Sequence, residues 1–309
     1  MSLEDLLSNE EFTKIQELFN ANEQFHQDNN WKRAFAVSLV KSDQFSNVIQ
    51  FCSQAVNTST VKLGDFFRFC WAYALYRTKQ YDQSMEVLEK VTSKNDLSVL
   101  FLKAQLHYRR EERIDCTKIF DILFKLTPEL RNNSEVYANY IASLPVGIDS
   151  PDENVLLRQA EQLQSYESVY NLGCQLILAG KFLDAEKVLI KALEMSNAIL
   201  SATGEYSESE IQQEMSIIRV QLAFVYFSLG RETNAFEQLE GIEAFYDPST
   251  EFVCKSNVKI AEGWHPFFPS DSQLEALSGS QRKKILLNLC FARRGNSMFM
   301  KKFINLFPQ

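Results

Sequence analysis

Along most of this chain apolar residues recur at intervals of three and four, and short groups of turn residues interrupt the pattern at near-regular distances. The clearest stretch runs from Val169 to Ala192. Leu172, Gly173, Leu176 and Ile177 form one apolar stripe, Gly180 interrupts it, and Phe182, Ala185, Leu189 and Ala192 form a second. This predicts two short helices joined by a tight turn. Gly173 and Ala185, twelve positions apart, fall where the two helices would cross closest. A side chain larger than Ala or Ser at either place is expected to push the backbones apart.

The same pair recurs elsewhere. Ala36 is followed by Val48, Ala72 by Ser84, Ala104 by Cys116 and Ala223 by Ala235, each pair flanked by large apolar residues such as Phe35, Trp71, Phe120 and Phe224. A helix-turn-helix unit recurring about every 34 residues resembles a tetratricopeptide repeat. The resemblance implies an all-α fold, a right-handed α-solenoid of such hairpins, spanning residues 1–309 as one array. Recognisable repeats cover 10–245.

The ruler also locates irregularities. Ala138 stands where a first helix is due (Ser134 to Leu144), but Pro145, Gly147 and Pro151 displace its partner to about Asp152 to Gln164, an irregular hairpin near 132–165. Ala223 lies 50 residues after Gly173, so the second helix of the central repeat and the first of the next are expected to be elongated, with Gly204 between them. Before the first repeat, Glu10 to Asn20 predicts one amphipathic helix, half a repeat whose first helix is absent. From 246 to 309 the chain becomes a turn-rich connection followed by C-terminal helices. Trp264, Phe267 and Phe268 in that connection are expected to pack back on the array, and no long polar cap closes the end, so the chain is expected to be part of something longer.

Composition narrows the chemistry. The net charge is −8, but Glu275 is the last acidic residue, so the chain up to it carries −15 against +7 after it. An acidic body is a poor footprint for nucleic acid. The basic tail leaves two readings open, a local RNA contact through Arg282, Lys283, Lys284, Arg293 and Arg294, or the solvated faces of the last helices. The N-terminus lacks a secretory signal and no apolar run is long enough to span a membrane, so a cytoplasmic location is expected. The six cysteines are scattered singly, as reduced core residues are. His26, His107 and His265 are isolated, no His-Glu pair occurs, and no phosphate-binding loop or nucleophile motif is present. No catalysis, metal, cofactor or small-molecule substrate is expected.

A binding groove is expected instead, because the first helix of each hairpin lines one side of such an array. The helix taken to run from Asp65 to Thr78 directs Phe67, Trp71, Ala72 and Leu75 toward its partner helix, while Phe66, Phe69, Tyr73 and Tyr76 fall on the other side. The next unit continues the row with Phe101, Gln105, Tyr108 and Arg109, and Arg33 and Arg77 belong to it as well. Tyrosine and arginine carry much of the energy at protein interfaces. For Phe66 and Phe69, stacking between repeats and partner contact remain open. The Lys and Asn clamp by which some repeats of this kind grip a C-terminal carboxylate is missing from the inward positions, so an apolar or mixed segment ordered on binding fits better.

Three features lie outside the repeat ruler: the displaced hairpin, the insertion between YNLGCQLILAGKFLDAEKVL and IIRVQLAFVYFSLGRETNAFEQL, and Ala261-Glu262-Gly263 followed by Gln273-Leu274-Glu275-Ala276. Together with WAYALYRTKQYDQSMEVLE and LKAQLHYRREERIDC, they resemble the family of the seventy-two-kilodalton protein of the eukaryotic signal recognition particle. That resemblance implies a non-enzymatic scaffold whose early repeats hold the C-terminal segment of the sixty-eight-kilodalton subunit, in co-translational targeting to the endoplasmic reticulum. The family's later lysine-rich RNA-binding segment has no counterpart here, which implies weak or indirect contact with the particle's RNA. A generic peptide adaptor, or direct RNA contact through the basic C-terminal helices, are the alternatives.

Overall fold

The structure, a computed structural model, describes residues 2–146 and 151–241; within them there are fourteen α-helices and no strand. The chain forms two compact units. The first, Met1–Arg131 with Ser143–Pro145, contains α1 (Leu3–Ser8), α2 (Phe12–Ala21), α3 (Asn29–Lys41), α4 (Phe45–Ala55), α5 (Val61–Arg77), α6 (Tyr81–Glu89), α7 (Leu97–Arg109) and α8 (Arg113–Leu126). The second, Asn132–Ala142 with Val146–Gln309, contains most of α9 (Ser134–Ser143), then α10 (Glu153–Gln162), α11 (Tyr166–Leu178), α12 (Phe182–Thr203), α13 (Glu208–Ser228) and α14 (Glu232–Leu239). The turn-rich stretch 246–272, the C-terminal helices, Cys254, Cys290, His265 and the basic residues Arg282 to Arg294 lie outside the described residues.

Helix starts are set by short polar side chains that accept from backbone N–H groups otherwise left without partners. Asp28 accepts from Asn30 and Trp31, Asp96 from Ser98, and Asp152 from Asn154. Ser2 with Asp5, and Ser207 with Glu210, form reciprocal capping boxes at α1 and α13.

The twelve-residue ruler marks buried positions in each regular hairpin. Ala36, Val48, Ala72, Ser84, Ala104, Cys116, Ala185, Ala223 and Ala235 are all buried, as is Gly173. In two hairpins the second member also closes a hydrogen bond to the first. The Ser84 hydroxyl donates to the Ala72 carbonyl at 2.6 Å, and the Cys116 thiol to the Ala104 carbonyl at 3.2 Å. At Gly173 the sequence-based size limit is too generous, because a Cβ there would sit 2.6 Å from Leu189 Cδ2 and 2.8 Å from its Cγ. Leu189 is fully buried and has nowhere to retreat, so even alanine is too large.

The turns are as uniform as the crossings. Lys79 takes a left-handed φ of 64°, its N–H bonds the Tyr76 carbonyl at 3.0 Å, and the next N–H, of Gln80, bonds Leu75 at 2.9 Å. This is the Schellman arrangement. It recurs with Asp43, Glu111, Gly180 and Gly230 at the left-handed position. It recurs too at Glu10, between α1 and α2. That corrects the N-terminal expectation: α2 is preceded by a helix, and Leu6, Ile15 and Ala34 share one small buried cluster. Its brevity, six residues, is why periodicity missed it.

The irregular hairpin forms as α9 and α10, joined by the Tyr137 hydroxyl donating to the Leu156 carbonyl. In the same unit α11 ties back to α9, because Asn171 donates to the Ala138 carbonyl at 2.9 Å and Gln175 to those of Ile141 and Ala142 at 3.2 and 3.1 Å. The Ile141 and Ala142 carbonyls belong to the last turn of α9 and have no intrahelical donor. The elongated pair is also present, α12 ending at Gly204 with φ 66°.

Candidate functional site

All nine partner-binding residues read from the sequence lie in the first unit, on its first helices α3, α5 and α7. Helix α5 begins at Val61 rather than Asp65. Asp65 is no cap: it is buried inside the helix and accepts from the Thr92 N–H at 3.0 Å, the Thr92 hydroxyl, the Ser93 N–H at 3.3 Å and Arg68 at 3.2 Å. Burial opposes its ionisation, but these donors outweigh burial and hold its carboxyl below the usual carboxylate range. The hairpin exit after α6 is thereby tied to α5.

Along α5 the aromatic row is present, and its rings are half-buried rather than free-standing. Phe66 leans on the cluster around Phe67, and Arg33 lies over its ring at 5.4 Å. Phe69, Tyr73 and Tyr76 lean on the cluster around Leu75 and Leu106. Arg77 donates to the Tyr73 hydroxyl at 2.8 Å, reaches Asp43 at 3.3 Å, and lies 4.5 Å over the Phe45 ring. The Tyr76 phenol beside Arg109 raises the Arg109 pKa further. Phe101 is half-buried, whereas Gln105, Tyr108 and Arg109 are exposed, Tyr108 at 45%.

Two participants were missed. Asp43 and Phe45 flank Arg77 from the preceding hairpin, and Asp43 precedes Arg77 by 34 residues, one repeat length. That period was the available signal. His107, read as isolated, is not: its Nδ1 lies 2.7 Å from the Glu112 carboxylate across the α7–α8 turn, and Arg110 joins Glu112 at 3.0 Å. The two groups are five positions apart, a spacing that no sequence motif covers.

Cys52 and Cys70 are buried and in contact, which with burial pushes the Cys52 thiol up, while Cys116 is buried and Cys174 half-buried; all four are free thiols. Among the described residues no group of three or more His, Cys, Asp or Glu side chains could hold a metal ion, and no helix is long and apolar enough to cross a membrane. In the second unit, Phe224 is 50% exposed with its ring 6.4 Å from that of Phe182, and Phe227 packs on Phe236.

Hairpins with small crossings, common turns and an exposed polar-aromatic face on their first helices define an all-α protein of tetratricopeptide type. A tetratricopeptide repeat protein from Parabacteroides merdae has the same fold, with a TM-score of 0.55 over 96% of this chain and 98% of its own, at 12% identity. Among sequences, the chain is similar to the signal recognition particle subunit SRP72. It is 28% identical to that of Caenorhabditis elegans over 82% of this chain, 27% to that of Dictyostelium discoideum over 77%, and 26% to the human protein over 65%. These matches span 41%, 35% and 29% of the relatives' own lengths. No family model matches the chain. The resemblance read from the sequence holds: the chain is SRP72-like.

Proposed function

We propose that the chain is a non-enzymatic, cytoplasmic scaffold of the signal recognition particle. In this reading, the first-helix face of α3, α5 and α7 holds the C-terminal segment of the sixty-eight-kilodalton subunit, in co-translational targeting to the endoplasmic reticulum. The observation that carries the reading is the row of tyrosines and arginines on that face in a chain similar to SRP72. Half-buried rings fixed by guanidinium groups are preorganised, so an incoming segment meets little further ordering cost. Ordering a flexible segment is then the main entropy cost of the complex.

The test is a calorimetric titration of the chain with a purified C-terminal fragment of that subunit. Combining Tyr73→Ala with Tyr76→Ala should weaken binding by roughly 2 kcal/mol or more, with the helical circular dichroism unchanged. Unchanged affinity in a folded double variant would sink the assignment.

A further inference from the structure

Helices α3, α5 and α7 of the N-terminal unit are charged differently from the acidic stretches around them. Helix α3 carries Lys32, Arg33 and Lys41 and no carboxylate; α7 carries Lys103 and Arg109 and none. Helix α5 carries Lys62, Arg68 and Arg77, and its single carboxylate, Asp65, is buried and already occupied by Thr92, Ser93 and Arg68. Acidic groups of this region sit instead on α6, as Asp82, Glu86 and Glu89, and at the turns, as Asp43 and Glu112.

The arginines of the aromatic row have unusual partners. The Nε of Arg33 is buried without a hydrogen-bond partner, and its guanidinium faces the Phe66 ring. Arg109 meets the phenol of Tyr76. Only Arg77 meets a carboxylate, and its pair with Asp43 is exposed, 41% and 69% for the two side chains, so an incoming anion replaces it at small cost. Rings and phenols orient a guanidinium without neutralising it.

We infer that the occupant of this face is an extended acidic segment, with carboxylates meeting Arg33, Arg77 and Arg109 and bulky apolar side chains settling against Phe69, Tyr73 and Tyr108. The inference rests on the reading of this face as a docking surface and adds the charge of what docks. A nucleic acid fits less well. Three arginines spread over three helices neutralise few phosphates.

The experiment uses the full chain and three labelled probes in fluorescence anisotropy: a short peptide alternating Glu with Leu and Phe, the same peptide with Lys for Glu, and an oligouridylate. The Glu peptide should bind best and weaken with added salt. Combining Arg33→Gln with Arg109→Gln should weaken it about ten-fold. Arg77→Gln, at an exposed position, serves as a second variant should the first fold poorly, and should also weaken binding. Equal or tighter binding of the Lys peptide or of the oligouridylate overturns the inference, as does a Glu peptide indifferent to both variants. If the sixty-eight-kilodalton segment binds with no dependence on salt or on these arginines, the charge inference fails while the partner assignment stands. If the Glu peptide binds as described and that segment does not, the assignment fails and the charge inference stands.

Discussion

Asp65 shows how one side chain can be misread from sequence and still decide local stability. An aspartate ahead of an apolar run is an ordinary helix start, yet here α5 has already made a full turn before it. Its carboxylate instead accepts from two backbone N–H groups, a hydroxyl and a guanidinium. Asp65→Ala leaves those donors without their acceptor in a half-buried setting, so urea denaturation at neutral pH should show a loss of about 2 kcal/mol. Because the folded pKa is depressed below the ordinary 3.8, the ionic part of this contribution is present above 3.8 and is lost as pH falls through the folded value. The gap between variant and parent should therefore narrow in acid. A gap that is unchanged below 3.8 would mean that shape rather than charge holds the exit of α6.

At the level of elements, the turns carry a cost that the crossings do not. Five of the left-handed turn positions hold Glu10, Asp43, Lys79, Glu111 and Gln164 rather than glycine. A side chain at such a φ costs roughly 1 kcal/mol. Lys79 is exposed, so Lys79→Gly changes the backbone preference and little else. It should raise stability by about 0.5–1 kcal/mol, seen as a higher midpoint in thermal melts; a lower midpoint would show that unfolded-chain entropy outweighs the strain. These turns also mark the limit of legibility. Gly180 and Gly230 announce themselves, whereas Asp43 and Lys79 carry no turn signature and were placed only by the small-residue ruler on either side. The crossings were legible because Ala36, Ala72 and Ala104 are small for a geometric reason that repeats. The site was legible in part: Tyr73 and Tyr76 stand out on a helical wheel, but Asp43 and Phe45 reach Arg77 from another hairpin. Contacts between hairpins do not follow from the periodicity of either one. The short α1 escaped for a different reason, since six residues give too few positions for a stripe.

For the molecule as a whole, basic residues gather on α3, α5 and α7 of the N-terminal unit, and its ionisable groups set limits on stability at both ends of the pH scale. Asp65 and Asp115 in that unit, and Glu210 in the other, are held below their ordinary values by hydrogen bonds, against burial in the case of Asp65, so the stability all three contribute at neutral pH is lost in acid. At the alkaline end burial is the leading cause. It pushes the Cys116 thiol from 9.0 to about 11, and burial with Glu167 and Glu214 nearby pushes the Tyr166 phenol from 10.0 to about 12. Both groups are neutral in the folded chain at pH values where the unfolded chain has lost the proton. Their contribution is complete below 9.0 and 10.0 respectively, and it disappears as pH rises through about 11 and about 12. Urea midpoints should thus hold steady from neutral pH to about 9 and then fall. Tyr166→Phe removes the phenol while keeping the ring, so the variant should lose less stability than the parent between pH 10.0 and about 12. Parallel decline of the two proteins over that range would show that Tyr166 ionises in the folded chain as readily as in the unfolded one, and that the carboxylates around it exert no hold on its proton.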